Sequence, residues 1–145
     1  METNKNKTNL GNQNGTLIAP CTRVSVTDLR IGNLLEYYPE GENLEWQYFF
    51  IDWYDIKLCE EENESFNNDS RPIPITEELL LKIGAIKLDY KDFPSYNLFG
   101  TQINSVNGLW FDFTTKIELK GLHHLQNIFF FRNSEELQIS ALTEY

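Results

Sequence analysis

With 145 residues, 41% of them hydrophobic and 14% aromatic, the chain has the length of one domain and enough apolar surface to build a core, which excludes global disorder. Twelve basic against twenty-two acidic side chains leave a formal charge of −10, which repels phosphate backbones and anionic lipid surfaces and disfavours general nucleic-acid or membrane binding. The aromatic share leans the fold toward sheet, because flat, bulky side chains suit pleated surfaces.

Met1 to about Thr27 is polar and Asn-rich and reads as a flexible leader (residues 1–27), with no apolar stretch that could serve as a signal peptide. A cytoplasmic location is therefore expected. Asp28 to Tyr37 opens the ordered part as a first strand with a bend at Gly32-Asn33, and Pro39 to Asn43 is a turn on composition. Leu44 to Leu58 is the most apolar stretch. Trp46, Tyr48, Phe50 and Tyr54 fall on one parity and Phe49, Ile51 and Trp53 on the other, the pattern of a long strand, or two short ones bent near Asp52, covered on both faces. An acidic, Asn-rich surface loop follows from Glu60 to Arg71.

Pro72-Ile73-Pro74-Ile75 must be extended, since each proline restricts the residue before it. A helix starts at once: Thr76 is the N-cap, Glu77 and Glu78 place negative charge in the first turn, and Gly84 suits the left-handed position past the C-cap. Ile86 to Tyr90 and Tyr96 to Phe99 read as short strands. Asn107-Gly108 is a type I′ hairpin signal between Ile103 to Val106 and Leu109 to Leu119. On the second arm Leu109, Phe111, Phe113, Ile117 and Leu119 share one parity, expected to face the core, while Trp110 falls on the polar parity and is expected to be exposed. A second helix runs from Gly121 to about Asn133, Glu136 to Ser140 is expected as a closing strand, and residues 141–145 as a tail. The expected architecture is a single α+β domain over residues 28–140, a curved and mainly antiparallel sheet with two short helices packed on one side.

Phosphate loops, zinc-protease helices, nucleophile elbows and calcium loops have no match in the sequence, and no cofactor or metal site is expected. Cys21 and Cys59 are too few for a disulfide framework and lack C-x-x-C spacing, so free thiols are expected. His123 and His124 are the only histidines, and neighbours on a helix point about 100° apart, which prevents both gripping one metal. Either, with Gln126 or Asn127, could line a pocket as a proton carrier or hydrogen-bond donor. Trp46, Tyr48, Trp53, Tyr54 and Trp110 are the candidates for a stacking surface, Trp110 foremost. An anionic ligand would have to draw on Arg23, Arg30, Arg71, Arg132 or the lysines.

Three blocks stand in order: Leu29-Arg30-Ile31-Gly32-Asn33, then Pro72-Ile73-Pro74-Ile75-Thr76-Glu77-Glu78-Leu79-Leu80-Leu81-Lys82-Ile83-Gly84, then His123-His124-Leu125-Gln126-Asn127-Ile128-Phe129-Phe130 with Glu135-Glu136-Leu137. Together they resemble a set of small proteins carried by phages and prophages of Bacteroides-type bacteria, a set with no assigned activity. Leu79-Leu80 stands where Trp-Leu is common in that set, and His124 where Gln is usual. The resemblance implies a phage context and a small accessory protein that acts by binding. The expected function is counter-defence, by inhibiting a host immune protein or sequestering a nucleotide immune signal. A host protein or a small nucleotide is thus the expected partner, with self-association possible. A phage structural or assembly protein, or a small hydrolase using His123 or His124, are the alternatives.

Overall fold

The computed structural model describes residues 24–38, 45–62 and 70–143. Most of the expected leader, the turn at Pro39 to Asn43 and much of the acidic loop lie outside them. The chain forms an α+β fold whose strands divide into two antiparallel sheets, one of three strands in the order β2-β1-β3 and one of four in the order β4-β5-β6-β7. The first comprises β1 (Leu34–Tyr37), β2 (Gln47–Phe50) and β3 (Ser70–Arg71), the second β4 (Ile86–Leu88), β5 (Ser95–Leu98), β6 (Thr101–Val106) and β7 (Leu109–Asp112). The helices are α1 (Trp53–Glu62), α2 (Glu77–Lys82), α3 (Leu122–Asn133) and α4 (Ser140–Thr143).

The main core lies between one face of the four-stranded sheet, through Tyr96, Leu98 and Ile103, and the apolar sides of α2 and α3, through Leu80, Leu122 and Leu125. Leu34 of β1 joins that core, while its neighbour Leu35 turns to the opposite face and packs with Val24 and Ile51 in a smaller cluster under Ile56 of α1. The period-two alternation of β1 thus gives the three-stranded sheet two covered faces.

The punctuation of α2 is as the sequence indicates. Thr76 Oγ1 accepts the Leu79 N–H at 3.1 Å, and beyond the C-cap Gly84 takes φ +95° while the Ala85 N–H reaches the Leu80 carbonyl at 2.9 Å. The Asn107-Gly108 hairpin also forms, with φ of 53° and 79° at the two turn residues. Gly121 stands where the start of α3 crosses the Pro72-Ile73 segment, and a Cβ there would lie 2.7 Å from the Pro72 Cβ. Only glycine permits that approach.

Four elements differ from expectation. The long strand from Leu44 to Leu58 is not formed: β2 ends at Phe50 and α1 begins at Trp53. Asp52 and Asp55 set this boundary. Asp52 Oδ1 accepts the N–H groups of Tyr54 (2.7 Å) and Asp55 (3.0 Å), and Asp55 Oδ2 accepts the Asp52 N–H in return (2.9 Å), a reciprocal cap that starts a helix where apolar parity alone suggests a strand. The first strand is shorter than expected, because Arg30 to Asn33 closes a turn with Gly32 at φ +89°. Glu136 to Ser140 pairs with no strand among the described residues; Leu137 and Ile139 are buried on the segment that leads into α4.

The fourth difference is an inversion. Leu109 and Phe113 face outward, Leu109 being 49% exposed, while Asp112 is fully buried and Trp110 packs on Tyr96 at 5.6 Å against the main core. The cause is an ion pair. Arg132 of α3 donates from Nη1 and Nη2 to the two Asp112 carboxylate oxygens at 2.7 and 2.6 Å, and the Thr115 N–H and hydroxyl supply further hydrogen bonds to Oδ2. These bonds outweigh the raising effect of burial and hold the Asp112 carboxyl below its usual pKa. With Asp112 fixed inward, its strand neighbours Phe111 and Phe113 must turn outward; the turn after Asp112 resets the parity so that Leu119 is buried after all.

Candidate functional site

A groove of about 430 Å³ opens beside β2. Trp46, Tyr48 and Phe50 share one parity and so one face of the strand, and the register places Tyr48 opposite Glu36 and Phe50 opposite Leu34, which makes Leu34 the floor. Glu45 and Gln47 stand at its polar margin, and Thr143 of α4 closes it from the far end of the chain. Arg71 of β3, paired with Glu36 in the same register, donates from Nε to the Glu36 carboxylate at 2.7 Å and lays its guanidinium over the Trp46 ring at 3.8 Å. The groove is thus a row of aromatic faces with a carboxylate at its edge, and one of those faces already carries a guanidinium.

Of the aromatic candidates named from sequence, Trp46 and Tyr48 line this groove. Trp53 and Tyr54 lie beyond the end of β2 at the start of α1, 63% and 52% exposed, with their rings edge to face at 5.8 Å. Trp110 does not join them. Phe50 was legible by its parity with Trp46 and Tyr48, whereas Arg71 and Thr143 carried no local signal, since only the register of β1 with β2 and β3 and the return of the chain at α4 bring them near.

His123 is buried, 2% exposed, and its Nδ1 finds no hydrogen-bond partner. Burial first, and the neighbouring His124 second, push its pKa down to about 4. The His124 ring lies 4.4 Å from that of His123, with Nε2 3.7 Å from the Asp28 carboxylate and Nδ1 3.4 Å from the Glu118 carbonyl. His123 thus sits within the packing of α3, and His124 is half-buried beside it. Asn127 is likewise engaged, accepting from Asn33 Nδ2 at 2.9 Å and donating to the Asp28 carbonyl at 2.8 Å. Beside it Gln126 accepts the Leu34 N–H at 2.9 Å and donates to the Gly32 carbonyl at 3.2 Å. Arg30 completes this clamp by a two-bond ion pair with Glu136, 2.6 and 2.8 Å, which holds the Glu136 carboxyl below its usual pKa.

Arg30, Arg71 and Arg132 are each held by a carboxylate of the chain, Glu136, Glu36 and Asp112 respectively. No two of them converge on a pocket to receive an anion. Among the described residues there is no cluster of three potential metal ligands, and no described helix is long and apolar enough to cross a membrane. Compared with protein-family models, with curated proteins and with solved structures, the chain has no match, so the reading of the site rests on its geometry.

Proposed function

We propose that the chain is a non-enzymatic accessory protein of a phage or prophage, acting in counter-defence in the host cytoplasm, and that its groove holds an arginine- or lysine-bearing segment of a host immune protein. The observation that carries the reading is the guanidinium of Arg71 on the Trp46 face, 3.8 Å away, at the end of a groove whose remaining rings, Tyr48 and Phe50, lie along the same strand. Aromatic faces attract cations by ~0.5–2 kcal/mol each, more when water is excluded. Glu45 at the margin supplies the counter-charge, and the net charge of −10 accelerates the approach of a basic partner. The internal pairing of the described arginines favours a protein segment over a nucleotide as the captured species.

Calorimetric titration with short peptides that present Arg or Lys between apolar neighbours tests this. The basic peptides should bind and their Gln-substituted counterparts should not. Phe50→Ala, which removes an exposed ring of the groove, should weaken binding by about tenfold, as loss of one desolvated cation–π contact predicts, and Glu45→Gln should reduce the salt dependence. Equal binding of the basic and Gln peptides, or binding of nucleotides alone, would overturn the reading.

A further inference from the structure

We infer that the outer face of the four-stranded sheet is the contact surface of a reversible homodimer. Residues opposite one another in an antiparallel register share a face. One face of this sheet meets the main core through Tyr96, Ile103 and Trp110. The other carries Ile86, Leu88, Val106, Leu109, Phe111 and Phe113, the last continuing the register by donating its N–H to the Gln102 carbonyl at 2.9 Å. None of these six side chains belongs to either hydrophobic cluster, and four of them are large exposed hydrophobics, Ile86 at 69%. Apolar side chains left exposed along the two edges of a sheet face, as Ile86, Val106, Leu109 and Phe113 are, are costly to leave in water and mark a contact surface.

The chemistry of the face selects a second copy as the occupant. Between the apolar positions lie Ser95 and Asn104, which are buried and bonded to each other (Ser95 hydroxyl to Asn104 Oδ1, 2.9 Å), and the half-buried amides of Asn97 and Gln102, the latter reaching Asn104 Oδ1 at 3.3 Å. The strand positions of this face carry no carboxylate and no cation, in a chain whose acidic residues outnumber its basic ones by ten. A basic partner would find nothing there to pair with. A two-fold contact requires each patch to be its own complement, and amides, which both donate and accept, satisfy that where single charges would repel. Lys116, 3.8 Å over the Phe113 ring, and Glu118, bridged to Phe111, place opposite charges on one rim, where a two-fold axis can pair them. Four strands about 4.8 Å apart and up to six residues long make a face roughly 20 Å square. That size belongs to the small, reversible class of interfaces, below about 1,200 Å² in total.

Sedimentation equilibrium of the full chain over a concentration series is the test. The wild-type chain should show a reversible monomer–dimer equilibrium in the micromolar range. Leu109→Glu and Ile86→Glu, each at an exposed position, should each weaken it by about tenfold or more by opposing like charges across the axis, with unchanged circular dichroism. Trp53→Ser, an exposed aromatic outside this face, should leave it unaltered. A chain that is monomeric throughout the series, as when the face is covered by another stretch of the same chain, overturns the inference. So does a dimer that both glutamate variants leave intact.

Discussion

The residues of α3 and those of the β2–α1 segment looked equally available for chemistry, and the fold treats them in opposite ways. Along α3, Gln126, Asn127 and Arg132 turn inward and are consumed by contacts with Gly32 to Leu34 and with Asp112, while His123 is buried with its Nδ1 unpaired. Along β2 and the start of α1, Trp46, Tyr48, Phe50, Trp53 and Tyr54 stay at or near the surface, and only part of their area is used by the cores. A polar side chain on a buried helix face must be satisfied internally, because an unpaired group there costs roughly 1–3 kcal/mol. An aromatic side chain on a strand is under no such compulsion, and its exposure is left for a partner to use.

The largest effect expected from this contrast is at Arg132. Arg132→Ala leaves the Asp112 carboxylate buried without its cation, and chemical unfolding should show a loss of about 3–5 kcal/mol. A loss below about 1 kcal/mol, the size of a surface pair, would break the distinction between the two regions. Next is the pH dependence of His123. Its folded pKa of about 4 lies below the ordinary 6.5, so the unfolded chain takes up a proton that the folded chain refuses. Stability should be full above pH 6.5, fall by up to roughly 3 kcal/mol as the pH drops toward 4, and lose no more from this group below that. His123→Leu should flatten that window. Below it, protonation of Asp112 and Glu136, both held under their usual values, should continue the decline.

Gln126→Ala leaves the Leu34 N–H and the Gly32 carbonyl without their partner and should cost about 1–3 kcal/mol, measured in the same way. The smallest effect belongs to the other region. Trp53→Ser and Tyr54→Ser should change stability by less than about 0.5 kcal/mol, since neither ring is buried. A cost above about 2 kcal/mol, typical of a core aromatic, would place α1 among the structural elements.

Where local chemistry decided the structure, the sequence was legible. Thr76, Gly84 and Asn107-Gly108 act through their own backbone and neighbours, and each does what its residue type dictates. The division into α+β with antiparallel strands also followed from pattern. One failure lies where a distant group intervened, and another where a local side-chain bond overrode the apolar pattern. Leu109, Phe111 and Phe113 alternate as a core face should, but Arg132 takes Asp112 inward and reverses the strand. Asp52 and Asp55 start a helix inside an apolar run because their side chains cap it reciprocally, and periodicity has no access to that bond.

At the candidate site, Trp46 and Tyr48 were readable as aromatics of one parity, whereas Arg71 reaches the Trp46 ring only through register and Thr143 the groove only through chain return. Three segments that read as separate motifs, Leu29 to Asn33, His123 to Asn127 and Glu135 to Leu137, prove to be parts of one clamp, since Arg30 holds Glu136 while Asn33 and Gly32 meet Asn127 and Gln126.

The three tryptophans give the most direct test, because one lies in the groove, one on the open start of α1 and one against the core. Their indole N–H resonances can be followed in ¹⁵N-labelled protein during titration with an arginine-bearing peptide. Binding in the groove predicts a saturable shift of the Trp46 signal, with the Trp110 signal unmoved and the shift lost in the Gln-substituted peptide. A Trp46 signal that stays fixed while the peptide binds elsewhere, or that moves equally with the neutral peptide, would contradict the account.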